Sequence, residues 1–154
     1  MFRWSLPIDS TRLGASLLTI AAAAAMVSAP VAYADTTALV PILIKGHNAD
    51  DSGTELGPNR FGIGRDGTLT IKLRWATVNG ESVATRCHEV SKIVDGAGNV
   101  VFEREQNLGG GCSSGGNWRA RLKGVGNYTY VLDVADRDSG ANQHAELPFE
   151  VVLF

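Results

Sequence analysis

From Gly126 to Asp136 the chain reads Gly-Asn-Tyr-Thr-Tyr-Val-Leu-Asp-Val-Ala-Asp. Tyr128, Tyr130, Leu132 and Val134 fall at every second position, with Thr129, Val131 and Asp133 between them. That period of two is a β-strand with the first set on its buried face. A Gly-Asn turn opens the strand, and Asp136-Arg-Asp-Ser-Gly140 closes it with turn-forming residues.

Other segments repeat the pattern. Thr68 to Ala76 places Leu69, Ile71, Leu73 and Trp75 on one face and Thr68, Thr70, Lys72 and Arg74 on the other. Trp75 falls in the apolar phase and is expected in the core. Arg86–Val94 and Asn99–Glu105 flank Asp95-Gly-Ala-Gly98 as a hairpin. Both phases of 87–94 mix apolar with polar residues, so its buried face stays open. Trp118, Ala120 and Leu122 alternate with Arg119, Arg121 and Lys123. Ala145, Leu147, Phe149, Val151 and Leu153 form the expected inward face of a last strand, in which Pro148 marks an edge or a break. An early strand, Leu39–Ile44, carries Pro41, which removes a backbone donor and suits an edge or a bulge. Gly46–Gly67 reads as a long polar loop with room for a short strand at Arg60–Ile63. Gln106–Asn117 reads as a Gly/Ser loop. Tandem short strands of this kind predict an all-β fold: a two-layer antiparallel sandwich of about seven strands.

Two stretches carry a family resemblance. The Gly126-x-Tyr128-x-Tyr130 start resembles the sixth strand of an immunoglobulin-like or fibronectin-III-like sandwich. Lys92–Phe102 resembles the hairpin of bacterial immunoglobulin-like domains. The resemblance covers Gly67 to Phe154. It implies that Tyr128 is a structural tyrosine corner, its hydroxyl bonded to backbone near Leu122 to Gly124. It implies a fold and no activity, because such sandwiches host many unrelated functions.

The N-terminus reads as an export leader. Arg3 and Arg12 lie in a basic start, and Leu13 to Val27 is apolar. Pro30 breaks the run, and Ala32-Tyr-Ala34 is a small-x-small cleavage site, so residues 1–34 are expected to be removed before Asp35. The apolar run is shorter than a membrane-spanning helix needs. What remains, 35–154, is one domain: 35–66 supplies the first edge strand and the long loop, 67–154 the sandwich. The full chain has 14 Lys and Arg against 16 Asp and Glu; without the leader's two Arg and one Asp the net charge is −3. Such a domain has no global attraction to nucleic acid. Secreted or periplasmic localisation follows, with no transmembrane segment in the mature chain. The two cysteines, Cys87 and Cys112, are expected to form a disulfide in that setting.

Each candidate site has an ordinary structural role beside its functional one. The histidines of the mature part are His47, His88 and His144; no Gly-x-Ser-x-Gly nucleophile turn and no phosphate-cradling glycine motif accompanies them. Asp136, Asp138 and Asn142 form an oxygen-rich candidate Ca²⁺ loop, but the sixth and twelfth positions, Ala141 and Leu147, lack the Gly and Glu of an EF-hand. Turn-making is the ordinary reading of such residues, here and at Asp50 and Asp51. His88 and Cys87 are adjacent on a strand, point to opposite faces and make a poor joint metal site. A lipid-facing last strand carrying Glu146 and Glu150 argues against an outer-membrane barrel. In an immunoglobulin-like sandwich the strands bearing Lys72 and Arg74 and those bearing Arg119, Arg121 and Lys123 are neighbours. These five form a candidate basic binding face, with Asp133, Glu146 and Glu150 on the opposite sheet. The expectation is an exported non-enzymatic binding or accessory domain without cofactor. Its partner would be an anionic envelope polymer or an acidic protein surface. The alternative is a secreted hydrolase or metal-dependent enzyme using the loop end near Asp136, Asp138 and His144.

Overall fold

A computed structural model describes residues 38–46 and 53–154; the leader, its cleavage site, His47, Asp50 and Asp51 lie outside the described residues. The described chain is all β: β1 (Leu39–Lys45), β2 (Thr54–Gly57), β3 (Arg60–Ile63), β4 (Thr68–Thr77), β5 (Arg86–Asp95), β6 (Val100–Gly109), β7 (Ser114–Lys123), β8 (Gly126–Asp136) and β9 (Asn142–Leu153). Three strands in the order β1-β4-β7 form one sheet, and six in the order β2-β3-β9-β8-β5-β6 form the other. The two sheets form a mostly antiparallel sandwich.

Two sequence expectations change here. Among the described residues there are nine strands rather than about seven: the short strand expected at Arg60–Ile63 forms as β3, and β2 pairs with it as a hairpin within the long polar loop. The sandwich is also not wholly antiparallel, since β3 runs parallel to β9, with Phe61 opposite Val151. The two prolines behave as their missing donors require. Pro41 lies on β1, an edge strand. Pro148 precedes Glu150–Leu153, the stretch of β9 that β3 covers, so β9 still has an open side there.

The core lies between the sheets. Leu69, Ile71, Leu73 and Trp75 of β4 and Ala120 and Leu122 of β7 meet Tyr128, Tyr130, Leu132 and Val134 of β8 and Phe149 and Val151 of β9. Phe149 stacks on Tyr128 at 5.5 Å and meets Phe61 edge-on at 6.0 Å, both favourable ring geometries. Leu153, expected inward, is 79% exposed beside the exposed Phe154 at the end of β9.

The open phase of β5 resolves unexpectedly. Cys87, Glu89, Ser91 and Ile93 face the core, all fully buried, while His88, Val90, Lys92 and Val94 face out. A buried carboxyl group is tolerated only with its hydrogen-bonding capacity met. Glu89 has that: its Oε1 accepts from Ser91 Oγ (2.9 Å) and Trp118 Nε1 (3.1 Å), and its Oε2 from Gln106 Nε2 (2.8 Å) and the Gly116 amide (3.0 Å). All four lone-pair directions of the carboxyl are thereby used. Because the Ser91 hydroxyl donates to Glu89, the Tyr130 hydroxyl 3.1 Å away donates to Ser91. Burial raises the Tyr130 pKa, which keeps that hydroxyl protonated.

The same network explains why Gln106–Asn117 is not the loop its composition suggests. β6 continues to Gly109 and β7 begins at Ser114. A Cβ at Gly115 would come within 2.5 Å of Glu89 Oε2 and 2.6 Å of Trp75 Nε1, and one at Gly116 within 2.7 Å of the Leu73 carbonyl. The register slips between Leu73 and Arg74, which pair with Trp118 and Gly116, leaving Asn117 as the extra residue of a bulge. Gly116 and Asn117 both have positive φ there. The glycines therefore mark close backbone approach inside a strand.

The short connection that remains is tied down. Cys112 is bonded to Cys87, and both are buried. Residues 111–113 run along the β4–β5 connection, with Cys112 N–H donating to Ala84 O and Val83 N–H to Cys112 O, both at 3.0 Å.

The turn between β7 and β8 holds a part-buried polar contact. Tyr128 Oη donates to the Gly124 carbonyl at 3.1 Å. Tyr128→Phe removes this donor and is expected to lower stability by about 1 kcal/mol. A shift in urea midpoint at constant slope measures it, and an unchanged midpoint would deny the bond a structural role.

Candidate binding surfaces

Cross-strand register assembles the basic face. Lys72 pairs with Arg119, Thr70 with Arg121 and Thr68 with Lys123, and residues directly opposite share one face of the sheet. Arg74 follows Lys72 on β4, beyond the bulge. All five cations lie on the outer face of the three-stranded sheet: Lys72 is half-buried and the other four are exposed. On the far side, Ile44 pairs with Lys72 and Ile42 with Arg74, so half-buried isoleucines border the cations. Asp66 stands near Arg121, but its oxygens are engaged by the amide and hydroxyl of Thr68, the principal cause of its lowered pKa.

The outer face of the six-stranded sheet is arranged differently. Its carboxylates sit beside their own partners. Glu150 meets Arg60 at 2.9 Å, Glu103 meets Lys92 at 3.7 Å and Glu105 meets His88 at 3.4 Å. His144 lies between Asp133 (2.8 Å) and Glu146 (3.2 Å), and hydrogen bonding to these two raises its pKa. Asp133, Glu146 and Glu150 thus share the face expected of them, but it carries interspersed cations. On the basic face, by contrast, Lys72, Arg74 and Lys123 have no carboxylate partner among the described residues.

The loop after β8 gathers Asp136 and Asp138 and uses both. Asp136 accepts from the Asp138 amide (2.8 Å) and from Ser139 Oγ (2.6 Å), closing an Asx turn. These bonds hold its pKa below the usual value. Asp138 receives Arg86, whose guanidinium lowers the Asp138 pKa in the same way. Asn142 is exposed at the start of β9, opposite Ala135. His144 is engaged with Asp133 and Glu146 rather than with the loop aspartates. Among the described residues, no group of three or more His, Cys, Asp or Glu is arranged to hold a metal ion. His88 and Cys87 point to opposite faces, His88 towards Asn107 and Cys87 into the core.

The residue that sequence reasoning missed is Glu89. Its only signal was a polar residue in phase with Cys87 and Ile93, and that phase could be recognised as buried only with the partner strands in place.

No protein-family model matches the chain, and no curated protein matches it. Among solved structures it is similar to the β-glucuronidase of Parabacteroides merdae, at 14% identity and a TM-score of 0.46 over 55% of this chain. A second structure of that enzyme, with glycerol in its active site, gives 16% and 0.44 over the same share. The chain spans 12% and 11% of the two enzyme chains.

Proposed function

We propose that this chain is an exported, non-enzymatic immunoglobulin-like binding domain whose working surface is the basic outer face of β1-β4-β7. Its partner is anionic, an envelope polymer or an acidic protein surface. The observation that carries the reading is the gathering of Lys72, Arg74, Arg119, Arg121 and Lys123 on one outer face, where Lys72, Arg74 and Lys123 have no carboxylate partner among the described residues. Clustered exposed cations of this kind attract an anionic partner. Cations on an edge strand also serve to block unwanted strand pairing. That explanation covers β7 and not Lys72 and Arg74, which lie on the central strand of the sheet. The leader-like N-terminus and the buried disulfide support a secreted or periplasmic setting.

Binding to isolated cell envelope should be strong at low ionic strength and fall steeply as salt is added, because exposed charges are screened over about 8 Å at physiological ionic strength. The double substitution Arg119→Glu and Arg121→Glu should abolish it with folding intact. Binding that ignores both salt and these substitutions would remove the basic face from consideration.

A further inference from the structure

β6 and β7 follow each other in the chain, yet each is the last strand of its sheet. Among the described residues, the flank between them therefore carries two open strand edges. A cleft of about 230 Å³ lies on this flank, lined by Val101, Arg121, Leu122, Lys123 and Tyr128. Val101 is 45% exposed there. The two sides of β7 differ sharply in chemistry: Arg119, Arg121 and Lys123 on the outer face, Ala120 and Leu122 on the inner.

We infer that the open edge of β7 accepts an extended peptide whose side chains alternate between acidic and apolar. The inference rests on the basic face being the binding surface and specifies its partner. A strand added to β7 would lie about 4.8 Å away, with successive side chains on opposite faces. Those on the outer face stand beside Arg119, Arg121 and Lys123 and are matched by carboxylates. Those on the inner face turn towards Val101, Leu122 and Tyr128 and are matched by apolar groups. The cations make the edge selective, repelling a strand that presents Lys or Arg at these positions and admitting one that presents Asp or Glu. A flexible polyanion satisfies the first requirement and not the second.

The test uses a capped, fluorescein-labelled peptide of alternating valine and glutamate, with binding to the purified protein followed by anisotropy. Two further versions are N-methylated at the odd or the even residues, and a poly-glutamate of equal charge is the comparator. The alternating peptide should bind at least about tenfold more tightly than poly-glutamate, and one N-methylated version should lose that advantage. It should also slow amide hydrogen exchange within 118–123. Arg121→Glu should weaken binding; Lys123→Glu serves equally if that variant fails to fold, as judged by its denaturation midpoint. If poly-glutamate and every peptide bind alike and exchange in 118–123 is unaffected, the strand edge is not the site, although the basic face still binds anions. If no probe binds at low salt, this inference and the binding face both fall.

Discussion

Glu89→Ala is expected to lower the unfolding free energy by about 3–5 kcal/mol, the range for removing one partner from a buried charged or strongly polar set. The substitution leaves the Trp118 indole, the Gln106 amide, the Gly116 amide and the Ser91 hydroxyl aimed at the space the carboxyl had filled. Each buried donor left without an acceptor costs about 1–3 kcal/mol. The total is less than their sum, since Ser91 can turn to Tyr130 and Gln106 is only part-buried. Against a typical stability of about 5–15 kcal/mol, this is a large fraction. Glu89→Gln separates shape from chemistry. It keeps the volume but turns an amide NH₂ towards two donors, so it too should destabilise, by a smaller amount. Urea unfolding of the three proteins, compared at constant slope, gives the answer. If Glu89→Ala left the midpoint in place, the carboxyl would not be the centre that joins β5, β6 and β7.

Replacing both Cys87 and Cys112 with alanine is expected to cost about 3.5 kcal/mol for a separation of 25 residues. Most of that arises in the unfolded chain, which gains the freedom that the cross-link removes. Native geometry should change little, because the Cys112 segment keeps its backbone bonds to Val83, Ala84 and Thr85. The distinguishing result is therefore a lower midpoint with basic-face binding unchanged under conditions where the variant stays folded. Loss of binding in a folded variant would mean that the disulfide positions β7 as well as stabilising it. Alanine is preferred to serine at these two sites, since both sulfurs are buried and a hydroxyl there would need a partner.

The two strands with the cleanest alternation, β4 and β8, lie where their periodicity places them, with Leu69 to Trp75 and Tyr128 to Val134 turned inward. Pro41 correctly marks an edge, because a missing N–H is a local property that needs no partner to read. The alternation that sets Lys72 and Arg74, and Arg119, Arg121 and Lys123, on one face of each strand was legible too, but that β4 and β7 are neighbours came from the resemblance to an immunoglobulin-like sandwich and not from the pattern. Other features were not legible, for reasons of the same kind. Gln106 to Asn117 has the composition of a loop, yet Gly115 and Gly116 serve a bulged strand pressed against Leu73, Trp75 and Glu89. Thr54–Gly57 is too short to show a period, and the short strand expected at Arg60–Ile63 gave no sign of its parallel pairing with β9, some 90 residues away in the chain.

What the amino-acid order determined by itself was therefore whatever depends on near neighbours: which segments extend, which face of each is apolar, where a proline forbids pairing and where a turn must form. What only the tertiary structure decided was the fate of groups whose free energy depends on distant partners. β5 shows this most plainly. Its two phases are nearly balanced in hydrophobicity, and Glu89 belongs inside only because Gln106, Gly116 and Trp118 arrive from β6 and β7 with four hydrogen bonds between them and Ser91. Burial of apolar surface adds residue by residue and leaves a periodic trace in the sequence. Satisfaction of a buried polar group is a condition on several chain segments at once, and it leaves none.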